Sequence, residues 1–267
     1  MSKANMSLDR KEYLNSVKRR KIAILSTQLL LLVAIFVLWE VAANMRLIDP
    51  FITSQPSRML NTIITLHSSG TLYVHIWTTI WETVIGFTLG TIGGLIIAII
   101  LWWSDFLSQV FEPYLVILNA LPKVAVGPIL IVWLGNGATA IIAMALLISI
   151  IVSIITMLHG FLSVDKEKIL LLKSFGANKL TILQKVVLPA SLPNTISALK
   201  VNVGLSWVGV IMGEFLVSKA GLGYLIVYGS QVFKLDLVMT SVIILIIAAT
   251  AMYLLVAYLE KKLIRWQ

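Results

Sequence analysis

Two acidic residues, Glu82 and Glu214, interrupt segments that are otherwise apolar, and neither has a Lys or Arg within one helical turn. If these segments span a membrane, a charge at the bilayer centre costs several kcal/mol, so such residues by default face a polar interior. They could instead lie close enough to the outer surface to remain hydrated. We therefore treat both as candidates for a polar path through the membrane, with this alternative left open.

Three further polar residues are weaker candidates for the same path. Asn119 and Lys123 belong to "NALPKVAVGP", whose prolines and glycine break a helix at membrane depth. Broken helices are tolerated where they line a cavity or are buried in protein. Asn202 lies in another apolar segment. Lys123 could also extend to the membrane interface or pair with an acid.

Residue patterns for other chemistry are absent. The chain has no Cys and three scattered His, and it lacks paired acids, a His-rich metal motif and G-x-S-x-G. We therefore expect no metal site, no cofactor and no catalytic residue. No Gly is followed by Lys, so the phosphate-binding G-x-x-x-x-G-K-[ST] loop is missing. If ATP supplies the energy, another polypeptide must bind it.

The composition predicts an all-α, polytopic membrane protein. Of 267 residues 59% are hydrophobic and only 12% are charged, against about 25% charged in soluble domains. A spanning helix needs about 20 apolar residues, which predicts six spans, or five if the third, proline-interrupted segment is re-entrant. The predicted spans are 22–43, 78–103, 114–134, 138–158, 194–217 and 236–259.

The basic residues predict the orientation. Fifteen of the 21 Lys and Arg lie before the first predicted span, from Lys3 to Lys21, between spans four and five, or after the last span, up to Arg265. The positive-inside rule then places both termini and residues 159–193 on the cytoplasmic side of the membrane. We expect this membrane to be a bacterial inner membrane. The net charge of +9 thus reflects topology, not nucleic-acid binding. A cleaved signal peptide is disfavoured because the first apolar run is too long.

Glycines recur at four-residue spacing in two spans, a pattern that lets helices approach closely. Packing within one chain is the commoner meaning and contact with a second chain is the alternative. The glycines are Gly86, Gly90, Gly94, Gly209 and Gly213.

Residues 164–189 predict a short helix, a turn at Gly176 and a second short helix with an N-cap at Asn178. Ile169, Leu172 and Phe175 recur at helical spacing. Pro189 and the later Pro193 should keep the second helix from continuing into the fifth span. The segment could be an interfacial anchor, could pack on its own spans, or could bind a cytoplasmic partner.

The spacing of Gly176, nine residues and "VVLP" resembles the E-A-A, three residues, G, nine residues, I-x-L-P signature of ABC-transporter permeases of the binding-protein-dependent importer type. The stretches "PSRMLNTI", "LPKVAVGPILIVWLGNG" and "MGEFLVSKAGLGYLI" are similar to the nitrate/sulfonate/taurine-type subfamily. The resemblance covers roughly residues 50–260. Leu170-Leu171-Leu172 stands where the family has Glu-Ala-Ala, and Glu82 stands where the family usually has a basic or small residue.

The resemblance implies that a separate ATPase subunit binds the segment 164–189. The implied ATPase-coupling residues are Leu170, Leu171, Leu172, Lys173, Ser174, Phe175, Gly176, Ala177, Leu188 and Pro189. It also implies a second permease copy, identical or related, an extracytoplasmic solute-binding protein and surrounding lipid. The expected domains are a basic N-terminus, 1–21, and a transmembrane domain, 22–267, with its permease core at about 70–260. The expected solute is nitrate-, sulfonate- or taurine-like or a vitamin precursor. A self-sufficient secondary carrier or channel is the alternative, although no inverted repeat is visible.

Overall fold

The computed structural model describes residues 8–263, and within that range every regular element is helical. Lys3 and Arg265, used above for the orientation, lie outside the described residues. The helices are α1 (Leu8–Asn44), α2 (Pro50–Thr53), α3 (Pro56–Ser68), α4 (Thr71–Trp103), α5 (Asp105–Ala120), α6 (Gly127–Leu134), α7 (Ala138–Leu162), α8 (Lys166–Ser174), α9 (Lys179–Ile182), α10 (Leu188–Val217), α11 (Leu222–Gln231) and α12 (Leu235–Leu263).

Five helical segments in the described range are long and apolar enough to span a membrane, and they contain α1, α4, α7, α10 and α12. The all-α polytopic prediction is therefore confirmed. The third predicted span, 114–134, belongs to a bent pair: α5 ends at Ala120, a 3-10 turn covers Lys123–Val126, and α5 meets the 123–134 unit at 87°. Pro122 lies in this break. The structure thus gives five spans, or six if the bent pair crosses the membrane.

Helix α7 lies at the centre of the bundle and packs against both α4 and α10, which also contact each other. The α4 glycines Gly86, Gly90 and Gly94 are buried against Ala145, Ser149 and Ser153 of α7, one helical turn apart each. A Cβ added at Gly86 would lie 2.6 Å from that of Ala145, so a side chain there would force the helices apart.

Helix α10 reaches the same central helix through its own glycines. Gly209 is buried against Ala145, and a Cβ added at Gly213 would lie 2.9 Å from the Cα of Ile141. Both glycine rows therefore meet α7 within one chain, which allows three backbones to approach closely.

Three described helices outside the spans, α2, α3 and α11, were not predicted from the sequence. α3 lies between α1 and α4, and α11 lies between α10 and α12. Contacts across the chain fix this end of the bundle: the Ser54 hydroxyl donates to the Asp236 carboxylate at 2.7 Å, and the Thr240 hydroxyl donates to the Met59 carbonyl oxygen at 3.4 Å.

The connection into α10 contradicts one expectation. Residues 179–217 form one continuous helical segment, so Pro189 and Pro193 do not separate α9 from the fifth span. A π-helical turn, Leu183–Val187, precedes α10, and Pro189 lies in the first turn of α10, where an amide donor is not needed. Pro193 lies inside the helix, where neighbouring helices tolerate it. The segment 164–189 is therefore mechanically continuous with a spanning helix.

Candidate functional site

The sequence around Gly176 folds into a tightly terminated helix. The Asp165 carboxylate accepts the amide of Glu167 at 2.9 Å and so caps the start of α8. At the other end, the amides of Gly176 and Ala177 donate to the carbonyls of Lys173 and Leu172, at 2.9 and 3.0 Å. This is a Schellman motif, which requires a left-handed residue after the helix. Gly176 supplies it, with φ at +77°.

The second half of the segment restarts immediately. Asn178 caps α9 by accepting the amide of Thr181 at 2.8 Å. Asp165, Gly176 and Asn178 together set the helix–turn–helix geometry, because each satisfies backbone groups that a helix end leaves unpaired.

One face of the segment packs inward. Ile169, Leu172 and Ala177 contact a buried cluster that includes Trp102 at the end of α4 and Phe161 at the end of α7. Leu188 joins the same cluster. This contact attaches the segment to the ends of two spanning helices.

The other face is apolar and exposed. Leu170 is 66% exposed, Leu171 55% and Phe175 80%. The helical spacing of Ile169, Leu172 and Phe175 does not put Phe175 on the inward face with the other two, because α8 ends at Ser174. We call Leu170, Leu171 and Phe175 the apolar tip. Lys173, Ser174, Gly176 and Pro189 are also exposed.

The two intramembrane acids, 132 positions apart in sequence, are brought together by the fold. Glu82 of α4 and Glu214 of α10 have carboxyl groups within hydrogen-bond reach of each other, and the two side chains are only 3% and 2% exposed. The sequence alone showed no paired acids, and the structure corrects this. Both residues are buried within the chain, at the end of the bundle opposite the apolar tip.

Glu214 completes the N-terminus of α11. Its Oε2 accepts the amide of Gly223 at 2.5 Å. The N-cap position itself is Gly221, which has no side chain to offer. A Cβ on Gly221 would collide with the Glu214 carboxylate, and one on Gly223 would lie 2.8 Å from its Oε2. The glycines in "AGLGYL" therefore make room for Glu214.

The same end of the bundle is held by α4. Thr79 accepts the amide of Leu222 at 2.7 Å, and Nδ1 of His75 accepts the amide of Gly221 at 3.0 Å. The His75 ring stacks on Tyr224, with centroids 5.9 Å apart. Side chains of α4 and α10 thus fix the start of α11.

The remaining path candidates lie elsewhere. Asn202 is fully buried and donates hydrogen bonds to Ser153 of α7 and, at 3.3 Å, to Thr91 of α4, so it ties three helices together. Lys123 donates to the Asn119 side chain at 3.2 Å in the break between α5 and α6. No described hydrogen bond links these residues to Glu82 or Glu214.

Among the described residues, no group of three or more His, Asp or Glu could hold a metal ion.

Residues 90–265 match the family described as "Binding-protein-dependent transport system inner membrane component". The chain belongs to this family of importer permeases. The permease is similar to the riboflavin transport system permease protein RibX of Chloroflexus aurantiacus, 30% identical over 88% of each chain. It is also similar to the taurine transport system permease protein TauC of Escherichia coli K12, 23% identical over 88% of the permease and 87% of TauC.

The fold of the permease matches a subunit of the MetNI methionine ABC transporter, solved in inward-facing conformations. The TM-score is 0.63 at 19% identity, over 73% of the permease and 97% of that subunit. The predicted family and the membrane-spanning transport role are confirmed. The permease is a multi-pass inner-membrane component of an ABC importer. Its family consists of transport components and not of enzymes.

Proposed function

We propose that this permease forms half of the translocation path of an ATP-driven importer and that a separate ATPase subunit binds its segment 164–189. The observation that carries the proposal is the apolar tip. Large apolar side chains that are exposed together mark interaction sites, and here they surround a rigid, glycine-terminated turn.

The inner contacts of the segment support a role in force transfer. Leu172 and Ala177 pack against the ends of α4 and α7, while α9 continues through the π-helical turn into α10. A displacement of the turn would therefore move three spanning helices together. An interfacial anchor does not need such a connection.

The Leu-Leu-Leu sequence at 170–172 makes the docking surface apolar. Where the family signature has an acidic residue, this chain exposes Leu170 and Leu171. The partner groove should accordingly be apolar, with binding through burial of side chains and not through an ion pair. Exposed lysines, such as Lys173, surround the tip and favour an acidic rim on the partner.

One chain offers one such segment, whereas an ABC motor contains two ATPase subunits. The working importer therefore contains two permeases, identical or related, and an external binding protein that delivers the solute. Both termini and the segment lie on the cytoplasmic side, as the basic residues indicate. The solute is a small polar molecule of the sulfonate, taurine or vitamin-precursor kind, and relatives named as sulfonate and taurine permeases support this.

Affinity purification of the tagged permease from its native membranes tests the proposal. The expected complex contains two ATPase subunits with a phosphate-binding loop and two permeases, and it transports solute into vesicles only with ATP and the external binding protein. Recovery of a permease that transports without ATP or an ATPase would contradict the proposal and favour a self-sufficient carrier.

A further inference from the structure

We infer that Glu82 and Glu214 form a carboxylic acid–carboxylate pair that holds one proton and locks α4 to the α10–α11 corner. This goes beyond the proposed function and does not depend on it. The argument starts from burial: both side chains are at least 97% buried, and their carboxyl groups are within hydrogen-bond reach of each other. Two adjacent ionised carboxylates in a buried site repel each other strongly, so one of the two keeps a proton.

The surrounding donors decide which oxygen carries the charge. Glu214 accepts the amide of Gly223 and has the Thr79 hydroxyl within hydrogen-bond reach. That amide belongs to the first turn of α11, whose helix dipole favours a negative charge. Glu214 is therefore the carboxylate.

Glu82 has no comparable support. None of the described backbone amides or side-chain donors hydrogen-bonds to it, and its Oε2 is buried without a partner. A carboxylate in that position would lose its hydration without compensation. A protonated Glu82 instead donates its O–H to the second oxygen of Glu214, which also lacks a conventional donor.

The other titratable groups near the pair are consistent with this assignment. His75 of α4 accepts the amide of Gly221, so it is neutral at that nitrogen and donates no charge to the pair. Tyr224 of α11 stacks on His75. On α7, Ile141 packs against Gly213, the neighbour of Glu214 in sequence, and carries no charge. The described residues around the pair thus supply no cation to replace the proton.

Isotope-edited infrared spectroscopy of the full-length permease tests this inference. With 13C in the glutamate carboxyl groups, the wild type should show the carbonyl band of a protonated glutamic acid. Glu82→Gln should abolish that band, because the new amide donates to an ionised Glu214. Glu214→Gln should keep a band, shifted in frequency, because Glu82 remains protonated. Glu112→Gln, which changes an exposed glutamate of α5, should leave the band unchanged.

Three spectral outcomes would overturn the inference. These are a wild type without a protonated glutamic acid band, a band that survives Glu82→Gln unchanged, and a band lost in Glu214→Gln but kept in Glu82→Gln. A melting temperature that depends on Na⁺ or K⁺ and is insensitive to Glu82→Gln would also contradict it, since an alkali cation would then hold the two carboxylates. Melting curves of both Gln variants show that the spectra come from folded protein.

Discussion

Lys179, the first residue of α9, donates a hydrogen bond of 2.7 Å to the main-chain carbonyl of Trp103, the last residue of α4. Its ammonium group also lies 5.6 Å from the Trp102 ring centroid and 5.9 Å from that of Trp103. A helix leaves its last carbonyls unpaired, and a cation at that end interacts favourably with the helix dipole. Lys179 therefore joins the segment 164–189 to a spanning helix that is 76 residues away in sequence.

Removing this link should uncouple the segment from α4. We expect Lys179→Met to keep the apolar stem but lose about 1 kcal/mol of hydrogen bonding, with ATP-driven uptake reduced several-fold. Co-purification of the ATPase should be retained, since the apolar tip is unchanged. The matched control is Lys185→Met, which removes an exposed lysine without a described hydrogen bond. Equal uptake by the two variants would contradict a role for the Lys179–Trp103 contact.

The turn at Gly176 makes a second prediction. A Cβ there would meet no atom within 4 Å, so the constraint is the positive φ and not space. Gly176→Val should cost about 1–2 kcal/mol locally and weaken ATPase co-purification and uptake while membrane insertion stays normal. Gly176→Asn should behave nearly as wild type, because Asn tolerates this conformation. If Asn and Val were equally harmful, the backbone explanation would be wrong.

Leu171 and Leu172 are neighbours in sequence that face opposite sides of α8. Leu171 is 55% exposed, whereas Leu172 packs against the buried cluster. Leu171→Ser should therefore reduce ATPase co-purification and leave the melting temperature of the permease unchanged. Leu172→Ser should lower the melting temperature. A Leu171→Ser variant that binds the ATPase normally would show that the tip is not the docking surface.

The helical class and the spans could be predicted from the sequence, because a long apolar run indicates that lipid, and not water, surrounds that segment. The turn at Gly176 and the cap at Asn178 were also predictable, since both are local backbone requirements. The exposure of Phe175 was not, because its helical spacing from Leu172 does not reveal that α8 ends one residue before it. Similarly, Pro189 and Pro193 predicted a break before the fifth span. The helix continues instead, because a π-helical turn precedes α10 and Pro189 lies in the first turn of α10.

The pairing of Glu82 with Glu214 lay beyond sequence reasoning for a different reason. The contact depends on how closely α4 and α10 pack against α7. Residues such as Gly86 and Gly209 set this distance. Periodicity shows that glycines line one face, but not which helix that face meets. One signal was available: the glycines at 221 and 223 indicate a close approach, although not what approaches them.

The shared contact of the glycine rows with α7 leads to a stability prediction. A Cβ at Gly90 would collide with the Ser149 side chain, whereas Gly204 on α10 has open space around it. Gly90→Val should overpack the α4–α7 contact at a cost of about 1–3 kcal/mol and lower the melting temperature. Gly204→Ala should be neutral or stabilise by up to about 1 kcal/mol through lower chain entropy in the unfolded state. Thermal unfolding in detergent measures both, and a Gly90→Val variant that melts like the wild type would contradict the close approach of α4 to α7.

The orientation of the chain can be tested without removing any native cysteine, because the sequence contains none. Ser174 in the segment 164–189 and Lys219 before α11 are both exposed and lie at opposite ends of α10. With the segment in the cytoplasm, Lys219→Cys should react with a membrane-impermeant maleimide in intact spheroplasts. Ser174→Cys should react only after the membrane is permeabilised. The reverse labelling pattern would invert the topology and place the apolar tip where no cytoplasmic ATPase could reach it.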